Sequence, residues 1–379
     1  MTKIQWTGRT WNPIAGCDIV SPGCRNCYAM RDAHRLAHNP NPKVAAKYAG
    51  TTKLVKGKPV WTGRVNVADD DTLLLPLRTR KPTTWFVNSM SDLFHGNVPD
   101  EVIDRIFAVM ALCPHHTFQV LTKRSARMRE YLRNKGIPSR IAEIIRDVGY
   151  AGGVSDIHVE ACADSVCYEG ETGEWPLINV WLGVSAEDQT RADERIPDLL
   201  ATPAAIRFVS AEPLLGQMDL RRWLPATGGA SLASSRSTSA SATPCLDWII
   251  VGGESKAGSR PMHPDWARSI RDQCASAGVP LFFKQWGDWL PWAPEHGPSW
   301  KAQNGDSEDG LALFPDDMDK DRKWDSGLWA IPEELEHFAF QKVGTKKAGR
   351  LLDGVEHNGM PESAAPIPMP RDLASGEIG

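Results

Sequence analysis

The sequence predicts an α/β chain built as a full or partial parallel β/α barrel, with a Trp-rich C-terminal extension. Three observations predict it. Short apolar, β-branched runs alternate with longer helical stretches. The runs are nearly continuously apolar, as strands covered on both faces are. The alternation repeats about seven times, which suits a barrel better than a small open sheet.

Composition bounds the rest. With 379 residues, 41% hydrophobic and 24% charged, the chain reads as an ordinary globular protein. That length fits one large α/β domain with additions, or two domains. No run of about 18 apolar residues exists, so no transmembrane helix is expected. Met1 to Gln5 lack the apolar core of a signal peptide. Three of the eight cysteines cluster rather than spreading as a disulfide framework, so a reducing cytoplasm is the expected compartment. A net charge of −4 argues against wholesale electrostatic binding of nucleic acid but leaves room for local patches.

The first strand, Thr10–Ile14, leads into Gly16-Cys17, then Ser21-Pro22-Gly23-Cys24 and Cys27-Tyr28-Ala29. Pro22 and Gly23 bend the chain so that Cys17, Cys24 and Cys27 can converge. Thiolates repel one another unless a metal neutralises them, so convergent cysteines read as soft-metal ligands. Spacing leaves three readings open. One is a [4Fe–4S] cluster with one iron free for a small molecule. Another is a closed zinc site completed by His34 or His38. The third is plain packing thiols.

Tyr28 to Ala49 reads as helix with a Pro-rich break at Asn39 to Pro42, and Val60 to Val67 as a short hairpin or loop passage. The following strands are Trp85–Asn88, Phe118–Thr122, Val180–Val184, Ile206–Ser210, Trp248–Val251 and Leu281–Lys284. The helices are Pro99–Leu112, Ser125–Asn134, Asp188–Leu200 and Pro264–Ala277, the last stopped by Gly278. Ser125–Asn134 belongs to a basic patch of Lys123, Arg124, Arg127, Arg129, Arg133 and Lys135, readable as a solvated face or a phosphate site.

Each strand ends in polar residues: Asn88 to His95, Lys123-Arg124, Ser185 to Asp188, Ser210 to Pro213, Gly252 to Ser255 and Lys284 to Trp286. Singly these are helix caps. Together they predict one pocket, because β/α barrels assemble active sites at C-terminal strand ends.

The barrel is expected over 1–290. It is interrupted by an insertion, 149–176, carrying His158, Cys162 and Cys167, and by a flexible Ser-rich loop, 227–244. An extension follows over 291–356, where tryptophans accumulate either to pack against the barrel mouth or to stack bases. The Pro-rich tail, 357–379, is expected to be disordered.

The motifs as a set resemble a known family. Trp11-Asn12-Pro13, Gly16-Cys17, Ser21 to Cys24, Cys27 to Ala29, Asn88 to His95, Leu121 to Arg124, Ser210 to Leu215, Gly252 to Ser255 and Phe282 to Gly287 carry the resemblance. It is to the phage-associated three-cysteine family of unknown function, over about positions 4 to 356. That family is in turn similar to radical S-adenosylmethionine (SAM) enzymes, including the spore photoproduct lyase type. Two features depart from the superfamily pattern: six residues separate Cys17 from Cys24, and Asn26 stands where an aromatic usually precedes the third cysteine.

The resemblance implies that Cys17, Cys24 and Cys27 ligate a [4Fe–4S] cluster whose open iron takes SAM. Ser89, Ser91 and Asp92 would meet the SAM amino group, and Ser185 and Glu187 the ribose hydroxyls. Glu212 and Glu254 would orient substrate or the methionine part, while Lys123 and Arg124 suit a carboxylate or phosphate. Each of these has an alternative role as a cap or interior salt bridge.

The expected function is a radical SAM-like enzyme acting on a nucleic acid or nucleotide. The competing expectation is a zinc-stabilised nucleic-acid-binding phage protein without catalysis. A metal-free hydrolase using Glu212 or Glu254 is a third.

Overall fold

Strands β1 (Arg9–Trp11), β2 (Thr84–Val87), β3 (Thr117–Thr122), β4 (Val180–Ser185), β5 (Ile206–Ala211), β6 (Trp248–Gly252) and β7 (Leu281–Gln285) lie side by side in chain order. Every neighbouring pair is parallel. An order that never reverses makes each crossover step the same way, and a twisted sheet wound like that curls toward a barrel. Among the described residues β1 and β7 do not pair, so the barrel is partial. The computed structural model describes residues 4–168, 171–173, 175–226, 243–256, 258–292, 312–313 and 339–362.

Period-two alternation divides each strand between two cores. Trp85, Val87, Phe118, Val120, Leu182, Val184, Val209, Ile249, Val251, Leu281 and Phe283 face the surrounding helices. Phe86, Trp181, Ile206, Phe208, Trp248, Ile250 and Phe282 fill the concave face with Trp6. Trp6 precedes β1 yet lies 6.3 Å from Phe208 and 6.0 Å from Trp248, ring to ring, across the curl. These rings form an aromatic floor, each contributing about 1.5–3 kcal/mol by burial. Gly183 makes room for it, since a Cβ there would stand 2.5 Å from the Phe208 ring.

Helices α1 (Tyr28–Ala37) and α2 (Pro42–Tyr48) follow the cysteine loop, separated at the expected Pro-rich break. Outside the sheet run α3 (Asp100–Ala111), α4 (Ser125–Arg133), α5 (Ile137–Ala151), α6 (Asp156–Val166), α7 (Gln189–Leu200) and α8 (Pro264–Ala277). Gly278 caps α8 at φ +68°, as its position predicted. The insertion, 149–176, is partly helical. It holds α6, which packs on α5 through Val159, Ala163 and Val166. His158 bonds the Leu112 carbonyl at 3.0 Å and lies 3.5 Å from Cys162, while Cys167 meets Ser139 at 3.4 Å. The thiols there are packing and hydrogen-bonding groups.

Of the C-terminal extension, Trp289–Trp292 pairs antiparallel with Ala339–Lys342. Trp286 and Trp289 are buried and donate to the Leu351 and Ser259 carbonyls, so they pack rather than offer stacking faces. Trp300, Trp324 and Trp329 lie outside the described residues, as do 227–242 of the Ser-rich loop. Residues 357–362, assigned by sequence to the tail, are described. Asn358 bridges Phe282, and the Gly359 carbonyl accepts from the Trp248 indole at 2.8 Å.

Candidate functional site

The cysteine loop rests on the polar end of β2. Asn12 Oδ1 accepts from Ser89 Oγ at 3.1 Å and from the Met90 amide at 3.2 Å. Asn88, at φ +60°, accepts from the Ile14 amide at 3.3 Å, and Ser91 Oγ donates to the Ile14 carbonyl at 3.0 Å. Gly16 then turns at φ +100°, where a Cβ would sit 2.1 Å from the Arg64 carbonyl. Ser89 and Ser91, expected to face a ligand's amino group, are bonded to the segment that delivers Cys17.

Three carboxylates hold the loop from three different strand ends. Asp92, after β2, accepts from Thr122 Oγ1 (2.7 Å), the Phe94 and Lys123 amides (3.0 Å each) and Arg124 (2.8 Å). Arg124 also donates to Asp18 and lies 3.8 Å from Cys17 Sγ. Burial holds the Asp92 carboxyl above the usual range despite these donors. Glu187, after β4 and fully buried, accepts from the Gly23 amide and from Arg195, each at 3.0 Å, with Lys123 Nζ at 3.6 Å. Glu254, after β6, takes Arg260 at 2.5 Å and Asn26 Nδ2 at 3.1 Å. Asn26 also donates to the Gly258 carbonyl at 2.7 Å, and Arg260 to the Pro22 carbonyl at 3.0 Å. Asn26, which stands where an aromatic was expected, thus latches the loop. A carboxylate with this many donors has few lone pairs left for a ligand.

The three cysteines are free thiols: Cys24 is buried, Cys17 and Cys27 half-buried. Cys17 lines the Asp92–Arg124 side, Cys24 Sγ lies 3.7 Å from Ser21 Oγ, and Cys27 opens α1 near Lys123. Burial, then the Asp92 charge, pushes the Cys17 thiol up to about 12, partly offset by Arg124. Burial also raises Cys27. Such thiols stay protonated until a metal takes the thiolate.

Among the described residues no group of three or more His, Cys, Asp or Glu is gathered closely enough to hold one metal ion. The ligands of a cubane cluster each take a different iron and therefore stand farther apart than ligands of one ion. His34 and His38, the residues a closed zinc site would draw on, each have Nδ1 engaged. His34 meets Thr52 Oγ1 at 3.2 Å, and His38 bonds the His34 carbonyl at 2.8 Å. His115 and His116 likewise bond the backbone carbonyls of Thr79 and Pro76.

Above the aromatic floor and below the cysteine loop lies a polar tier. Lys123 Nζ meets Ser185 Oγ at 2.5 Å, and Lys284 Nζ meets Glu212 Oε1 at 2.5 Å. Ser185 Oγ also donates to the Glu212 carbonyl at 3.3 Å. Of the site residues read from sequence, Lys123, Ser185 and Glu212 come together here. Asp92, Arg124, Glu187 and Glu254 surround the loop.

The basic helix is largely engaged within the fold. Arg124 pairs with Asp92, Arg127 with Asp100 and Arg129 with Asp198. Sequence reasoning did not single out Arg195, Arg260 or Asp18, and named Lys284 only as a strand-end residue of the expected pocket. Arg195 had a readable signal, a charge on the apolar stripe of Ala192, Ile196 and Leu199, which requires a buried partner.

A family model described as a protein of unknown function (DUF5131) matches residues 1–361. Comparison with curated proteins and with solved structures gave no match.

Proposed function

We propose that this chain, which belongs to the DUF5131 family, is a radical SAM-like enzyme that binds a [4Fe–4S] cluster through Cys17, Cys24 and Cys27. The phage association and the radical SAM kinship expected from the motifs belong to this proposal, since the family description carries neither. The observation that carries it is the cysteine loop itself. Three free thiols sit on one loop, fastened over the C-terminal mouth of a partial β/α barrel by Asp92, Glu187 and Glu254. When bound, the cluster and SAM supply radical chemistry beyond the reach of side chains.

The chain's own residues do the rest. Asp92, Glu187 and Glu254 fix the loop, and the positive groups of Arg124 and Lys123 stand beside Cys17 and Cys27, where they favour thiolate. Lys123, Ser185, Glu212 and Lys284 offer two ammonium groups, a hydroxyl and a carboxylate to an anionic or zwitterionic ligand. Glu212 and Lys123 remain the candidates for touching substrate, a nucleic acid or nucleotide in this reading. The aromatic floor keeps bulk water from entering below.

The test is anaerobic reconstitution with iron and sulfide, followed by EPR of the reduced protein and assay of 5′-deoxyadenosine after addition of SAM and dithionite. Wild type is expected to be brown and to release the nucleoside, and Cys24→Ala to do neither. A colourless wild-type protein holding one zinc per chain would overturn the proposal in favour of the zinc-stabilised binding protein.

A further inference from the structure

The hairpin beside the cysteine loop is a surface that the chemistry of the mouth leaves unexplained. Thr52–Val55 and Lys58–Trp61 pair antiparallel, with Thr52 opposite Trp61, Lys53 opposite Val60 and Val55 opposite Lys58. Cross-strand partners share a face and successive residues alternate. Thr52, Leu54, Pro59 and Trp61 make up the face turned to α1, where Trp61 is buried and Thr52 meets His34. Lys53, Val55, Lys58 and Val60 make up the other. The turn is Lys56-Gly57, at φ +49° and +75°, the two-residue geometry that matches strand twist. Its most prominent point is therefore a cation.

The root of the hairpin touches the cluster loop. The Gly63 amide donates to the Cys17 carbonyl at 3.1 Å, and Trp61 packs in one apolar group with Cys17 and Cys27. Other surface cations, Lys43, Arg105 and Arg268, sit against Asp71, Asp70 and Asp353. Lys53, Lys56 and Lys58 are exposed and have no ion pair among the described residues. Three unpartnered cations on one short ribbon repel each other, and a polyanion relieves that repulsion.

We propose that this hairpin is a docking arm for nucleic acid, with Lys53, Lys56 and Lys58 engaging phosphates and leading the bound strand across the mouth. A two-stranded ribbon has the dimensions that nucleic-acid grooves accept. An anionic membrane fits less well, because Leu54 and Val55 lie behind the charged turn and could enter a bilayer only after Lys56. The arm deepens the nucleic-acid part of the proposed function, yet it is tested by binding alone. Its failure is thereby distinguishable from failure of the cluster.

The test is fluorescence anisotropy with the purified full chain over a salt series, using one labelled sequence as single-stranded DNA, duplex DNA and RNA. Wild type is expected to bind at least one form, with affinity falling steeply as salt rises. The triple variant Lys53→Gln, Lys56→Gln, Lys58→Gln is expected to bind tenfold or more weaker at low salt. Its log–log salt slope should be smaller by about 2 to 3. Lys81→Gln with Lys346→Gln and Lys347→Gln, a charge-matched control away from the hairpin, should leave the slope unchanged. Should the triple variant melt differently from wild type, Lys56→Gln alone takes its place, with an expected slope change of about one. The proposal is overturned if wild type binds none of the three nucleic acids, or if the hairpin variants keep the wild-type slope. It is also overturned if hairpin-dependent binding appears only on phosphatidylserine vesicles.

Discussion

Replacing Glu187 by glutamine removes a charge and almost no volume, so it isolates the electrostatic part of the loop's attachment. Burial by itself would raise this carboxyl. The cations of Lys123 and Arg195, with bonds from Ser21 and Gly23, outweigh burial and hold it at about 2 against an ordinary 4.5. A folded-state value below the unfolded one contributes stability that is complete above pH 4.5 and is lost as pH falls toward 2. At 1.36 kcal/mol per pH unit, that gap corresponds to about 3 kcal/mol at neutral pH. Glu187→Gln also leaves Arg195, itself buried, without its counter-charge.

Urea unfolding at pH 7 is therefore expected to show the variant less stable by about 3 kcal/mol, and by roughly 1.4 kcal/mol at pH 3. Cysteine modification by a thiol reagent should quicken in the folded variant, because Gly23 adjoins Cys24. Equal stabilities at pH 7 would refute the reasoning. So would a difference that persists undiminished at pH 3.

Three further outcomes are expected. His116 accepts from the Thr83 amide through Nδ1, and burial, then His115, lowers it to about 4, so it is neutral in the fold. Its folded value lies below the ordinary 6.5, so about 3 kcal/mol of stability should drain away as pH falls from 6.5 to 4. His116→Gln should flatten that limb of a pH–stability curve. Gly183→Val should cost roughly 1–3 kcal/mol in thermal or urea unfolding, because its side chain meets the Phe208 ring. Asn26→Ala and Glu254→Gln should be non-additive, with a coupling on the order of 0.5–3 kcal/mol in a double-mutant cycle, since the two side chains share a hydrogen bond.

The strands and the covering helices α3, α4, α7 and α8 were legible, the strands because buried parallel strands are apolar throughout, as in Val180–Ser185, every residue of which is buried, whereas α5 was not read from the sequence. The helix in 149–176 was less legible. Asp156–Val166 carries its buried Val159, Ala163 and Val166 among polar residues and a glycine-rich lead, so its period is faint. At the mouth, the residue types were readable but not their direction. Asp92, Glu187 and Glu254 look from sequence like ligand contacts, and only the fold reveals that Glu187 and Glu254 bond the cysteine loop directly and Asp92 reaches it through Arg124. Their partners Arg195 and Arg260 lie 8 and 6 positions further along the chain, and Gly23 lies 164 away. Local pattern cannot rank such pairings. Pairing of Lys284 with Glu212 across 72 positions is hidden for the same reason.

Trp6 has a temporal consequence. Its ring rests on Phe208 and Trp248, which are synthesised some two hundred residues after it. Until β5 emerges, the Trp6 indole has only Phe86 of this set for company. Closure from below must therefore be a late event in biogenesis. Replacing Trp6 by a small residue would act on that final step and leave earlier ones untouched.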